Sequence, residues 1–213
     1  MILTKRTVLA AALIALTVAG CSSKAATPKA APKSTGSNPA VASPSGGPPS
    51  QKAAPVEKSP PGDIPDNIAY VSYHNAAGRY TFKHPEGWAA LASGAIVTFT
   101  DKLNGVSAAP GQQSAAPTVA SANQTDVPAL ETAQPAFELR KVIATALPAG
   151  SGVLIVYRRN SAPDPVTGKV LRDEVQRYEV YGDGHEVILE LFGAVGSDNV
   201  DPYRIMAQSL RLA

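Results

Sequence analysis

The chain has 213 residues, 44% of them hydrophobic, with 19 Lys and Arg against 17 Asp and Glu for a formal net charge of +2. That charge is split, because residues 22–62 carry five lysines against Glu57 while residues 63–213 carry 12 basic and 16 acidic groups. The acidic part keeps no basic patch, so the sequence pI of about 8.6 gives no reason to expect nucleic-acid binding, and a single cysteine excludes an intrachain disulfide.

At the N-terminus Lys5 and Arg6 precede an uncharged run over residues 7–19. That run is shorter than the roughly 20 apolar residues a helix needs to cross hydrocarbon, so it reads as an export signal and not as a span. It ends in Val18-Ala19-Gly20-Cys21, where small residues give a peptidase access to the backbone and Cys21 supplies the thiol. The stretch resembles the lipobox of bacterial lipoprotein signals at all four positions. The resemblance implies cleavage between Gly20 and Cys21 and acylation of Cys21. Two acyl chains then hold stably where one holds only marginally. The expected location is the extracytoplasmic face of a cell membrane, reached through an N-terminal lipid anchor.

Residues 22–62 contain nine of the 19 prolines and no aromatic residue. Such a segment buries too little apolar surface to offset the entropy of ordering it, which predicts a disordered tether over residues 21–62. In polyproline form, at about 3.1 Å per residue, it reaches roughly 120 Å. Lys24, Lys29 and Lys33 lie nearest the anchor, where they either meet anionic head groups or keep the segment soluble. The expected organisation is a signal peptide over 1–20, the lipidated cysteine and tether over 21–62, and one globular domain over 63–213.

Within the domain, residues 68–74 and 79–84 read as a hairpin about Asn75-Ala76-Ala77-Gly78. The second strand alternates Tyr80, Phe82 and His84 against Arg79, Thr81 and Lys83. Pro85-Glu86-Gly87 turns the chain into Trp88, an expected core anchor. Residues 95–101 predict a strand closed by Asn104-Gly105, residues 107–117 an exposed loop, and residues 119–122 a short strand. Asp126-Val127-Pro128 predicts a short helix to about residue 132, with Asp126 as its N-cap. Residues 137–147 fit strand or helix, and the alternation of Phe137, Leu139, Lys141 and Ile143 favours strand. Residues 153–159 predict a strand, 160–169 a loop, and 171–181 with 185–192 a hairpin about Gly182-Asp183-Gly184. Asp201-Pro202 opens a closing helix, with Asp201 as N-cap and Tyr203, Met206 and Leu210 on one face.

Consecutive hairpins with few helices predict an α+β fold, a mainly antiparallel sheet covered by a few helices. Tyr80-Thr81-Phe82, Pro85-Glu86-Gly87-Trp88, Asp198 to Tyr203 and Ser209-Leu210 resemble the PsbP-like and Mog1-like sandwiches, in particular LpqN-type bacterial lipoproteins. The resemblance covers residues 66–213 and implies no catalytic residues. Its plant members are extrinsic photosystem II subunits, its fungal members bind a small GTPase, and its bacterial lipoproteins act as envelope interaction modules.

Residue patterns that carry chemistry are few. His74, His84 and His185 show no metal spacing, and His185 is expected to be half-buried and satisfied on the strand face of Val187, Leu189 and Leu191. Asp198, Asn199 and Asp201 lack the alternation and glycine of a calcium loop. Thr167-Gly168-Lys169 lacks the leading glycine and the following Ser or Thr of a phosphate loop. Gly150-Ser151-Gly152 lacks the spacing of a nucleophile elbow. No catalytic set, metal site or cofactor is expected, and the expected function is a non-enzymatic module that docks on an envelope protein. Glu174, Glu179, Asp183, Glu186 and Glu190 either steer a basic partner or form a solvated face. The alternative function is binding of a small apolar or lipid ligand lined by Tyr70, Tyr73 and Phe192.

Overall fold

The computed structural model describes residues 51–57 and 62–213. The signal, the lipobox with Val18, Ala19, Gly20 and Cys21, and most of the tether therefore lie outside the described residues.

β1 (Tyr70–Asn75) and β2 (Tyr80–Pro85) pair antiparallel about the turn that the sequence predicts, where Asn75 Oδ1 accepts the Gly78 amide at 2.7 Å. Alternation along β2 buries Tyr80, Phe82 and His84. β3 (Ala89–Ser93), β4 (Ile96–Asp101) and β5 (Asn104–Pro110) follow as a meander. Two expectations fail here. β3 is unforeseen because its Ala-Ala-Leu-Ala-Ser sequence has no alternation, and β5 takes residues 107–110 from the stretch 107–117 read as loop, which is loop only from residue 111 on. Gly105, Val106 and Ala108 form a strand because β4 and β9 flank them closely. Gly105 lies directly under the Phe192 ring, where any side chain would collide with it.

The next helical segment starts earlier than expected. α1 (Val119–Ser121) replaces the short strand, because Thr118 and Ser121 form a reciprocal capping box. It runs through a π-turn at Ala122–Asp126 into α2 (Val127–Ala133). Pro128 has no amide and its ring crowds the carbonyl four residues back. The wider turn, in which the Val127 amide reaches Ala122, accommodates it. Asp126 makes no side-chain cap, since helix already precedes it.

β6 (Glu138–Leu147), β7 (Gly150–Asn160), β8 (Arg172–Gly182) and β9 (His185–Ala194) form a long meander. At the β8–β9 turn Asp183 and Gly184 both take positive φ, 48° and 80°, as a two-residue type I′ hairpin requires. α3 (Val200–Ser209) and β10 (Arg211–Leu212) close the chain. Asp201 is not the cap of α3. The cap position is Asn199, whose side chain is used elsewhere, and exposed Asp201 pairs with Arg204 at 3.0 Å. Pro202 is tolerated in the first turn because that amide has no helical partner in any case.

All pairings are antiparallel. One sheet has the order β1-β2-β10 and the other β3-β4-β5-β9-β8-β7-β6, an α+β fold as predicted. Strand alternation gives the large sheet two apolar faces. One, with Phe99, Val106, Tyr178, Leu189 and Leu191, packs under β2, under Tyr203 and Met206 of α3 and under Leu210 just after it. The other, with Val153, Ile155, Tyr157 and Val175, packs under Ala122 and Leu130 of the helical segment.

Candidate functional site

A concavity of about 600 Å³ lies at the end of the large sheet where β7 stops and β8 begins. Its floor comes from side chains that strand alternation brings to one face. Arg159 and Asp173 are direct cross-strand partners, and Phe192 follows on β9. The walls are the β4–β5 turn with Lys102 and Leu103, Gln134-Pro135 after α2, and the 160–171 loop. Gly105 lets the Phe192 ring lie flat across β5, and the Arg159 guanidinium sits 5.2 Å over that ring while donating to Gln134 Oε1 at 3.0 Å.

Asp173 is 5% exposed, and burial pushes its carboxyl up to about 6 against the opposing charges of Arg159 and Arg172. Arg172 is committed elsewhere, donating to the Ala136 carbonyl at 2.6 Å and to Glu138 at 2.9 Å. The groove floor therefore carries a poorly solvated carboxylate beside an aromatic ring and a guanidinium.

Asn160, 4% exposed, ends β7 and is fixed through its backbone amide to the Pro135 carbonyl at 2.9 Å. Its side chain holds residues 51–57, within the stretch read as tether. Oδ1 accepts the Ala54 amide at 2.8 Å, and Nδ2 donates to the Lys52 carbonyl at 2.9 Å and to Gln51 Oε1 at 3.2 Å. A backbone amide only donates and a carbonyl only accepts, so these partners also fix which atom of the carboxamide is oxygen. Three residues further on, Glu57 pairs with Lys169 at 2.7 Å. The Thr167-Gly168-Lys169 stretch that imitates a phosphate loop is a turn about Asp164, whose Oδ1 accepts the Val166 and Thr167 amides at 3.0 and 2.7 Å.

A second asparagine node pins the start of the domain. Asn199 Oδ1 accepts the Ile64 amide at 2.8 Å, its Nδ2 donates to Asn104 Oδ1 at 2.9 Å, and Asn104 Nδ2 donates to the Gly62 carbonyl at 2.6 Å. This use of Asn199 is what removes it from capping α3.

Other expected residues are scattered. Tyr73 packs edge-on against Phe99 at 5.2 Å and Tyr70 joins the same core, while Phe192 belongs to the opposite face of the large sheet, so the three line no common site. His84 is buried and stacked on Phe99 at 3.7 Å. Burial holds its pKa below the usual imidazole value, and the neutral ring donates from Nδ1 to the Pro85 carbonyl at 2.8 Å. His185 is half-buried, with its ring nitrogens 3.4 and 3.3 Å from the Asp183 and Arg79 carbonyls. Four of the five acidic side chains of the hairpin are buried or paired, and Asp183 is exposed at its turn. Glu179 and Glu186 are buried, Glu190 pairs with Arg177 at 2.8 Å, and Glu174 pairs with Arg158 at 3.2 Å. Arg177 also binds Glu179 at 2.6 Å, and Glu179 Oε2 finds no partner among the described residues. Among the described residues no three His, Cys, Asp or Glu side chains converge as a metal site, and no helix is long and apolar enough to cross a membrane. Sequence reasoning missed Asn160, Arg159 and Asp173. Only the shift from an apolar run to Arg158-Arg159-Asn160 marks the spot.

No family model matches the chain, and no curated protein does. Solved structures do. The solution structure of CyanoP, the cyanobacterial PsbP of Synechocystis sp. PCC 6803, is 17% identical over 73% of this chain and all of that one, with a TM-score of 0.46. PA94 from Pseudomonas aeruginosa is 12% identical over 64% of this chain and 91% of its own, with a TM-score of 0.41. LpqN of Mycobacterium tuberculosis, described as involved in cell envelope biogenesis, is 12% identical over 70% of this chain and 92% of its own, with a TM-score of 0.34. At these values the likenesses concern the fold and say nothing of activity or partner.

Proposed function

We propose that this protein is a lipid-anchored, extracytoplasmic envelope protein whose domain is a non-enzymatic protein-interaction module. The observation that carries the reading is the placement of the chain's only cysteine, Cys21, directly after Val18-Ala19-Gly20 at the end of an uncharged run. An acylated Cys21 fixes the chain at a bilayer, and the proline-rich segment gives the domain reach to a neighbouring protein. The groove supports binding over chemistry, because its best-placed polar side chain, Asn160, is spent on main-chain hydrogen bonds.

The test is site-specific photo-crosslinking in cells. A crosslinker at Leu103, in the groove wall, is expected to form a discrete adduct with an envelope protein, and one at exposed Leu91 on β3 is not. Equal adducts from both positions, or none from Leu103, contradict the reading.

A further inference from the structure

Residues 51–57 touch the domain in a particular way. Lys52, Ala53, Pro55 and Val56 are exposed, Val56 at 51%, Gln51 is exposed but turns its Oε1 to Asn160, and Ala54 and Glu57 are partly buried. Two of the contacts that hold the segment are to its main chain, the carbonyl of Lys52 and the amide of Ala54, both to the one Asn160 carboxamide, and two are to side chains, Gln51 Oε1 to Asn160 Nδ2 and Glu57 to Lys169. In an extended chain the carbonyl of one residue and the amide of the second residue on face the same side, so a single carboxamide serves both, as one rung of a strand ladder does. Asn160 is rigid for this task, being buried at the end of β7 and tied through its own amide to Pro135. Recognition of this form is blind to most side chains. It asks for an extended backbone, a small residue at the position of Ala54, and an acidic residue three places later to meet Lys169.

Resting on the reading of the domain as an interaction module, we infer that the edge of this groove at Asn160 and Lys169 is a peptide site that reads main chain through Asn160. Residues 51–57 are its built-in occupant, with Gln51 reaching the groove wall. The external ligand is an extended segment of a partner protein, small at the Ala54 position and acidic at the Glu57 position, which enters by displacing them. The short connection between residue 57 and the domain keeps the occupant at high local concentration, so an external segment competes only in the fraction of time the groove is open. Release of residues 51–57 also lengthens the connection between anchor and domain, which couples binding to reach.

The experiment uses the full mature chain in detergent and, as probe, a fluorescein-labelled peptide of residues 50–58. Ala54→Pro in the protein deletes the amide proton that Asn160 Oδ1 accepts and so frees Asn160 while leaving β7, the 160–171 loop and Lys169 intact. By fluorescence anisotropy the probe is expected to bind the Ala54→Pro chain at least tenfold more tightly than the unaltered chain, the factor that follows if the groove is occupied nine-tenths of the time. Adding Asn160→Asp removes the donor to the Lys52 carbonyl at nearly constant size and is expected to abolish the gain, with the thermal midpoint reporting that the fold persists. A probe with Glu57→Lys is expected to bind several-fold more weakly. Equal binding to the unaltered and Ala54→Pro chains, no binding to either, or binding indifferent to Asn160→Asp overturns the inference. Failure here with a Leu103 adduct in cells leaves the module reading in place without a peptide groove. Success here without the adduct leaves the groove and removes the envelope partner.

Discussion

Replacing Asp173 by Asn tests the physical picture of the groove floor. The carboxyl is 5% exposed and its pKa is raised from 3.8 to about 6 by burial, with Arg159 and Arg172 offsetting part of the cost. A group whose pKa is higher in the folded state binds its proton more tightly there. Its favourable contribution is therefore complete below the unfolded value near 4 and is lost as pH rises through 6. Two pKa units correspond to about 3 kcal/mol, and because the groove is open to water the expected cost at pH 7.5 is about 1–3 kcal/mol. Asp173→Asn abolishes the titration. In urea unfolding followed by tryptophan fluorescence, the variant is expected to match the parent near pH 4 and to exceed it by about 1–3 kcal/mol at pH 7.5. Parallel pH profiles for the two proteins, or a variant less stable at pH 7.5, refute the reasoning.

Arg177→Met should cost about 3–5 kcal/mol in the same unfolding assay, because Glu179 and Glu190 are then left under the helical segment without their cation. Asn199→Ala should cost about 1–3 kcal/mol and raise hydrogen exchange at Ile64, whereas Asp201→Ala should stay within about 0.5 kcal/mol, since exposed Asp201 meets only Arg204. If Asp201→Ala proves the more damaging of the two, the assignment of the α3 start is wrong.

What the sequence makes legible is what local patterns encode. Period-two alternation places Tyr80, Phe82 and His84 in the core, the Asp183-Gly184 pair fixes its hairpin, and Tyr203 and Met206 give the buried face of α3, which Leu210 continues at its C-cap. Strands built from small residues are not legible. Ala89–Ser93 has no polar alternation, and Gly105 and Ala108 read as loop until β9 supplies Phe192 and Leu189 across from them. Helix starts mislead wherever a second suitable residue competes. Thr118 caps ahead of Asp126, and the cap position of α3 falls two residues before the place assigned to Asp201, at Asn199, whose side chain holds residues 62–64 and does not cap.

The groove was beyond local reading for a different reason. Asn160 meets Ala54 across 106 positions, and Arg159, Asp173 and Phe192 converge only through the register of β7, β8 and β9. A composition that predicts disorder over residues 22–62 averages over the segment and does not register one buried carboxamide that holds a few of its main-chain groups.

The proposed role at the envelope depends on the fate of one thiol, and mass spectrometry of the N-terminal peptide of the protein isolated from its native membrane reads it directly. The account predicts a mature chain that begins at Cys21 and carries a diacylglyceryl group on its sulfur, with no such species from Cys21→Ser cells. A mature N-terminus elsewhere, or Cys21 recovered as an unmodified thiol, contradicts it.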